Sequence, residues 1–252
     1  MYICMELYKE LADQYNLWLL EDSCHSLGGS FIDKNGIEQK CGNGKYADVA
    51  IFSFHPVKHL ACGEGGMITT NNHKLYEKLL LLRSHGINKY PNKISKKDGG
   101  WFYEMQELGY NYRMPDILCA LGLSQLNRAN QNLEKRRRVA KRYIKAFKNT
   151  KVNCIQLPKN IHHAFHLFVI KVENRLGLYK YLKKMGIYSQ VHYIPLHKAP
   201  YYESIYGKQF FLESESYYQK CLSIPMYPTL KKNEQDYVIE NINKWFKKER
   251  NE

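Results

Sequence analysis

The chain has 252 residues, of which 44% are hydrophobic, so it is long enough to bury a core in one large or two smaller domains. Its formal net charge of +14 is compatible with a nucleic acid, an anionic membrane face or an anionic small substrate as partner. No apolar run approaches the roughly 20 residues of a membrane span, and no nucleic-acid-binding module is evident, so we expect neither partner. The seven cysteines are scattered without a C-x-x-C pair, which predicts reduced thiols and a cytoplasmic protein.

The first elements are a helix and a strand. Residues 4–15 place Leu7, Leu11 and Tyr15 on one helical face. The apolar run 17–20 follows and predicts a buried strand that closes at Asp22. A helix that leads into a parallel strand is the second half of a βαβ crossover, and its first strand is absent. We therefore expect the chain to begin inside a domain.

A second buried strand is predicted at residues 49–52, an unbroken apolar run. It ends at Ser53, and the chain then turns through Pro56 and a glycine cluster at residues 63–66. Lys58 is thereby placed on a loop just past the carboxyl end of the strand. Ligands of open α/β sheets bind at that edge.

Asp22 and Lys58 are the candidate catalytic pair. A single loop lysine is by default solvated, but a carboxylate at one strand end and a lysine after the next are what a pyridoxal phosphate site requires. The aspartate would keep the pyridine nitrogen protonated, and the lysine would form a Schiff base with the aldehyde.

The remaining elements predict a second, smaller domain. Helices are indicated at residues 72–82 and 116–126, and a basic helix at 130–149 whose charges we expect to be solvated. We place the domains at 1–130 and 131–252, the second containing the linking helix, a strand within 164–172, and helices at 178–184 and 233–248. His162, His163 and His166 lack a carboxylate or cysteine to complete a metal site and are interpreted as structural.

Several ordered motifs resemble the DegT-type sugar aminotransferases, which are fold-type-I pyridoxal phosphate enzymes. They are EDSCHSLGG, ADVAIFSFHPVK, GEGGMITTN, LLRSHGI and ELGYNYRMPDILCALGLSQL. The resemblance implies an α/β fold made of the C-terminal portion of a large, mostly parallel-sheet domain plus a smaller α/β C-terminal domain. Members carry further residues upstream, so we expect this chain to be partial.

The resemblance also implies a reaction. The SFHPVK and GIYSQVHYIPLH segments are most similar to members that move an amino group, from glutamate as the expected donor, to a UDP-linked 4-keto-6-deoxy sugar in the biosynthesis of pseudaminic-acid-like surface glycans. Such members are homodimers with shared active sites. One alternative is a truncated, catalytically incompetent homologue that binds the cofactor or a full-length partner. A second is a sugar dehydratase, but those relatives replace the Schiff-base lysine by histidine, and Lys58 favours transamination.

Four further site residues follow from the resemblance. His25 would lie against the cofactor's 3-hydroxyl, Ser53 would bind its phosphate, and Asn111 would reach the neighbouring subunit's phosphate. Tyr193 is a candidate substrate contact. The first three have a local alternative from the residues alone: a structural histidine, a strand-end serine bonded to its own backbone, and an Asx turn before a helix.

Overall fold

The computed structural model describes residues 4–96 and 98–248 of an α/β chain. It divides into two compact units between Ala129 and Asn130, close to the boundary placed at 130 from sequence. Residues 1–3, 97 and 249–252 of the two predicted domains lie outside the described residues. The first unit contains, in chain order, α1 (Met5–Gln14), β1 (Leu20–Asp22), β2 (Ser30–Ile32), β3 (Glu38–Lys40), β4 (Val49–Ser53), β5 (Gly66–Thr69), α2 (His73–Arg83), β6 (Ile87–Asn88), β7 (Glu104–Met105) and α3 (Asp116–Leu126).

The sheet that positions the site has the strand order β1-β4-β5. Strands β1 and β4 are parallel, with Asp22 opposite Ile51, and β5 pairs antiparallel with β4, with Gly66 opposite Ser53. Parallel strands end at the same edge of a sheet, so the residues that follow β1 and β4 lie side by side. Between β1 and β4 along the chain, β2 and β3 form an antiparallel hairpin.

The predicted helices are confirmed, and local signals explain where two of them begin. The Asn72 side chain accepts a hydrogen bond from the Leu75 N–H at the start of α2, as an N-cap does. Pro115 precedes α3, and Asp116 in its first turn suits the positive end of the helix dipole.

The predicted burial of the first strand is wrong. Within the described residues Leu17, Trp18 and Leu20 are largely exposed, with Trp18 at 71% of its full exposure, and the strand begins at Leu20 rather than at 17. The physical reason is that β1 is an edge strand of the described sheet, so it lacks a neighbour on one side. The second strand is only partly buried, with Ala50 fully enclosed and its neighbours intermediate.

The second unit has its own sheet and core. Its elements are α4 (Ala129–Phe147), β8 (Asn153–Cys154), β9 (Ile161–His162), β10 (Phe168–Lys171), α5 (Arg175–Lys184), a 3-10 turn (Leu196–Lys198), α6 (Pro200–Tyr206), α7 (Leu212–Lys220), β11 (Cys221–Ile224) and α8 (Lys232–Lys248). Strand β10 lies between β11 and β8 and is antiparallel to both. The core contains fully buried side chains from α4, β10, α5 and α8: Tyr143, Phe168, Ile170, Leu182 and Ile242.

The prediction that the charges of the basic helix are all solvated is wrong for one arginine. Arg136 is buried, and its Nη1 donates hydrogen bonds to the carbonyl oxygens of Phe165, His166 and Met226 at 3.2–3.3 Å. It lies three residues from both Leu133 and Val139 on the buried face of α4. Burial lowers the pKa of Arg136 to about 10, so the side chain remains a cation at neutral pH.

Membrane spans, metal sites and disulfides are the next features of the described residues. None of their helices combines the length and the apolar character needed to span a bilayer. In the same residues, no three histidine, cysteine, aspartate or glutamate side chains gather as a metal site would require. The seven cysteines are all described, and none is joined to another.

Candidate active site

Two adjoining strand ends carry Asp22 and Ser53. The Asp22 Oδ1 atom accepts a hydrogen bond of 3.0 Å from the Cys24 N–H, which closes a turn directly after β1. The Ser23 N–H donates to the carbonyl oxygen of Ile51 at 2.9 Å, so this turn is held against β4. Ser53 Oγ accepts a hydrogen bond of 3.3 Å from the His55 N–H, the local backbone contact expected of a strand-end serine. Its own hydroxyl hydrogen is still available to a ligand oxygen.

The surroundings of Asp22 favour its ionised form. The Cys24 thiol beside the carboxylate lowers the pKa of Asp22, and the Cys24 N–H and the charges of His25 and Lys58 act in the same direction against the effect of burial. Burial and the Asp22 carboxylate together raise the pKa of Cys24 to about 11. At neutral pH the pair is therefore a carboxylate and a neutral thiol, a combination that presents negative charge at this edge of the sheet.

Lys58 lies on a loop that is closed at its base. The Phe54 N–H donates to the Gly65 carbonyl oxygen at 2.9 Å, and the Cys62 N–H donates to the Phe54 carbonyl oxygen at 3.0 Å. At the tip, the Lys58 N–H donates to the His55 carbonyl oxygen at 2.9 Å. The Lys58 residue is half-buried, and its positive charge is one of the influences that lower the pKa of Asp22.

Asn111 lies on a segment, residues 108–112, that crosses the C-terminal end of α2. The N–H groups of Tyr110 and Tyr112 donate to the carbonyl oxygens of Leu82 and Arg83 at 2.7 and 2.9 Å. These are the carbonyls that the end of a helix leaves without partners. Asn111 itself pairs with Ser84 in an isolated β-bridge and is exposed.

Gly109 makes this crossing possible. A Cβ atom added to Gly109 would lie 2.2 Å from the backbone nitrogen of Gly86 and 2.8 Å from the carbonyl oxygen of Leu82. A backbone cannot yield to such contacts without moving the segment that carries Asn111. The position of Asn111 therefore depends on two glycines that approach each other closely.

A small apolar cluster joins the segments that carry these residues. Phe54, Leu60 and Cys62 form its buried centre, and Leu27, Phe52 and Met114 pack around it. Leu27 follows His25, Phe52 precedes Ser53, Leu60 follows Lys58, and Met114 follows Asn111. The first unit therefore brings together the segments of all five predicted cofactor residues.

Tyr193 lies in the second unit and is 61% exposed. Its neighbour His192 is fixed by a 2.8 Å hydrogen bond between its Nδ1 atom and Ser223 Oγ. The backbone of residue 190 also pairs with that of Ser223. Tyr193 is thus presented from a segment that is anchored to β11.

Residues 2–243 match the family model described as the DegT/DnrJ/EryC1/StrS aminotransferase family. The chain belongs to this family. A curated relative from Campylobacter jejuni, UDP-4-amino-4,6-dideoxy-N-acetyl-beta-L-altrosamine transaminase, is 34% identical over 94% of the chain and 61% of its own length. The chain spans less than two thirds of the length of the curated relatives it matches.

Solved structures agree with the family and its fold. Helicobacter pylori PseC, described as an aminotransferase involved in the biosynthesis of pseudoaminic acid, superposes with a TM-score of 0.87 at 29% identity, covering 98% of this chain and 64% of that one. A putative sugar aminotransferase from Streptococcus pneumoniae in its PMP form gives a TM-score of 0.80 at 27% identity, covering 92% of this chain and 59% of that one. The prediction of an α/β, fold-type-I transferase is confirmed.

The sequence did not reveal two groups that shape this DegT-family site. The Cys24 N–H donates to the carboxylate of Asp22, yet a lone cysteine carries no recognisable signal. Glu21 bonds to Gly42, 21 residues further along the chain, and no local spacing predicts such a contact. Gly109 can be read from the sequence, but the sequence does not show that its backbone lies so close to Gly86 that only glycine fits.

Proposed function

We propose that this DegT-family chain works as a pyridoxal-phosphate-dependent aminotransferase. The observation that carries the proposal is the placement of an ionised Asp22 and of the Lys58 loop at the adjoining ends of parallel strands β1 and β4. Family membership supplies the reaction class. The donor set fits the cofactor, since the site offers a carboxylate, an amine and a hydroxyl, and the S. pneumoniae relative is known in PLP and PMP forms.

When bound, the cofactor would supply an aldehyde and a ring that accepts electrons. Asp22 would accept a hydrogen bond from the protonated ring nitrogen, which its lowered pKa permits. Lys58 would hold the aldehyde carbon covalently and, once released, would move a proton as general base and acid. The Ser53 hydroxyl would bind the phosphate, the Asn111 amide would reach the phosphate held by the neighbouring subunit, and His25 would contact the 3-hydroxyl.

For the substrate we propose a nucleotide-linked 4-keto-6-deoxy sugar, with glutamate as amino donor and Tyr193 as a sugar contact. The names of the C. jejuni and H. pylori relatives support a sugar nucleotide of the pseudaminic acid type. The excess of basic residues is compatible with a diphosphate group. A reduced, cytoplasmic location would suit the free cysteines.

We also propose a homodimer with shared sites, in which Asn111 reaches the neighbour's phosphate. Helix α3, which follows Asn111 closely, exposes Ile117, Leu123 and Leu126 in the described chain. A second copy of the chain would cover apolar side chains of this helix in such a dimer.

The test is labelling with the cofactor itself. The full chain is incubated with pyridoxal phosphate, reduced with borohydride and mapped by mass spectrometry. We expect the added mass on the peptide that contains Lys58, with none in Lys58→Ala and an unchanged result in Lys45→Ala, a variant of another lysine in the same unit. Equal labelling across many lysines would contradict the assignment.

A coupled assay separates the three functions considered from sequence. Glutamate-dependent amination of a UDP-4-keto-6-deoxy sugar supports the aminotransferase, whereas turnover without an amino donor supports a dehydratase. Cofactor binding at Lys58 without either reaction supports the non-catalytic homologue.

A further inference from the structure

Glu21 lies on β1 directly before Asp22, and its carboxylate binds two separate segments. The Gly42 N–H lies 3.0 Å from Oε1 and 3.1 Å from Oε2, and the Ser23 hydroxyl donates to Oε1. Successive strand side chains point to opposite faces, so Glu21 acts on the face away from Asp22. One carboxylate thus holds both the turn after β1 and the loop after β3.

Gly42 extends this contact to the other two strands of the sheet. Its carbonyl oxygen accepts a 2.8 Å hydrogen bond from Thr69 Oγ1 on β5. Its φ angle is +77°, and an added Cβ would lie 2.2 Å from the ring of Phe52 on β4. The loop is therefore seated against β4 and β5 and gives Glu21 a fixed donor.

The Ser23 end of the contact leads into the turn that carries His25. Ser23 is fully buried, and its Oγ accepts a 3.0 Å hydrogen bond from Ser26 Oγ. The Ser26 N–H donates to the Ser23 carbonyl oxygen at 3.0 Å, and the Gly29 N–H donates to that of Ser26 at 2.7 Å. His25 lies inside this hydrogen-bonded turn, and Asp22 lies in the chain between Glu21 and Ser23, the two ends of one of these hydrogen bonds.

We propose that Glu21 is a positioning residue for the cofactor site. By clamping Ser23 and Gly42, it holds Asp22 and His25 in the orientation that a ligand at the strand ends needs. Hydrogen bonds to a charged acceptor are stronger than neutral ones, so a carboxylate suits this role. The inference rests on the proposed function, since it gives Glu21 a purpose only if Asp22 and His25 contact the cofactor.

The first test compares the affinity of the full chain for pyridoxal phosphate, measured by absorbance titration, in Glu21→Ala and Glu21→Gln. We expect Glu21→Ala to bind at least about tenfold more weakly, because small displacements of positioned groups are costly. Glu21→Gln should stay within about threefold, because its amide oxygen can still accept the Gly42 N–H. The control Glu10→Ala removes an exposed carboxylate of the same unit and should change nothing.

A second measurement separates positioning from mere stabilisation. Below the unfolding temperature, the pH dependence of the visible absorption of the bound cofactor should shift in Glu21→Ala, since a displaced Asp22 holds the ring proton less well. A lowered melting temperature with unchanged affinity and an unchanged pH profile would overturn the proposal. Equal losses in Glu21→Ala and Glu21→Gln would overturn it as well.

The contacts of Glu21 with Ser23 and Gly42 can also be tested without the cofactor. In Glu21→Ala the amides of Ser23 and Gly42 should exchange hydrogen faster than in the wild-type chain, and unchanged protection would refute the contact. Should Glu21→Ala fail to fold, Ser26→Ala weakens the same network and should lower cofactor affinity in the same direction; an unaltered affinity would refute the role. Failure of the proposed function is distinct, because then Lys58→Ala would bind cofactor as the wild type does.

Discussion

At the scale of single residues, the buried guanidinium of Arg136 is the side chain whose loss we expect to cost most in stability. Three backbone carbonyl oxygens accept from it, and removing the donor leaves them without that partner. Arg136→Ala should lower the free energy of unfolding by about 3 kcal/mol. The control is Arg138→Ala on the exposed face of the same helix, expected within about 0.5 kcal/mol. Urea unfolding measures both, and equal effects would show that burial of Arg136 is not the cause.

His163 predicts a pH dependence of stability. Burial lowers its pKa to about 4, and its Nδ1 accepts a 2.9 Å hydrogen bond from the Phe165 N–H, which requires the neutral ring. The unfolded chain binds this proton near pH 6.5, so stability is full above that pH and falls as the pH drops toward 4, by up to roughly 1.4 kcal/mol per unit. His163→Asn keeps an acceptor that does not titrate. We expect a shallower loss of stability between pH 7 and 5 in that variant, and an identical slope would contradict the assignment.

The residues that the structure singles out differ in how close along the chain their partners lie. Asp22, Ser53 and Lys58 were predicted because each follows a strand whose composition is visible in a few neighbouring letters. Their geometry could be anticipated from the rule that parallel strands end at one edge. Glu21 and Arg136 were not predicted, because their partners lie far along the chain and only folding brings them together.

At the scale of elements, helices α1, α2 and α3 could be predicted because periodicity and caps are local. The burial of a strand is harder to predict. An apolar run such as residues 17–20 shows that the side chains are hydrophobic, but it does not show whether another element covers them. In the described chain β1 is an edge strand, and Trp18 is exposed in spite of its composition. The basic helix shows the opposite error, because one of its charges faces the core.

The segment 108–112 provides a steric test of how Asn111 is placed. Gly109→Ala puts a Cβ against the backbone of Gly86, so the segment must move away from the end of α2. We expect at least about tenfold weaker retention of pyridoxal phosphate and a loss of stability of about 1–3 kcal/mol. Gly100→Ala is the matched control, because open space surrounds that position.

Absorbance titration and thermal unfolding measure the two effects of Gly109→Ala. Full cofactor affinity in a destabilised variant would show that the segment matters for folding and not for the site. A Gly100→Ala variant with the same defects would show that any lost glycine in this region is harmful.

At the scale of the whole molecule, charge is divided unequally between the two units. Residues 1–129 contain 14 basic and 14 acidic side chains, whereas residues 130–252 contain 24 basic and 10 acidic ones. The whole excess of +14 therefore belongs to the second unit. The ionised Asp22 belongs to the electrically balanced first unit, so local contacts rather than net charge set its pKa.

Self-association is expected to depend on helix α3. Ile117 is 83% exposed in the described chain, and Leu123 and Leu126 are also exposed. Burying such side chains stabilises an interface by about 25 cal/mol per Å² of apolar area, whereas a carboxylate placed there must lose its water. Ile117→Glu should therefore shift the chain from dimer to monomer in sedimentation velocity, and Ile37→Glu, at an exposed apolar position in the loop between β2 and β3, should not. A wild-type chain that sediments as a monomer would contradict the shared site proposed for Asn111. A dimer that is unaffected by Ile117→Glu would show that α3 does not form the interface.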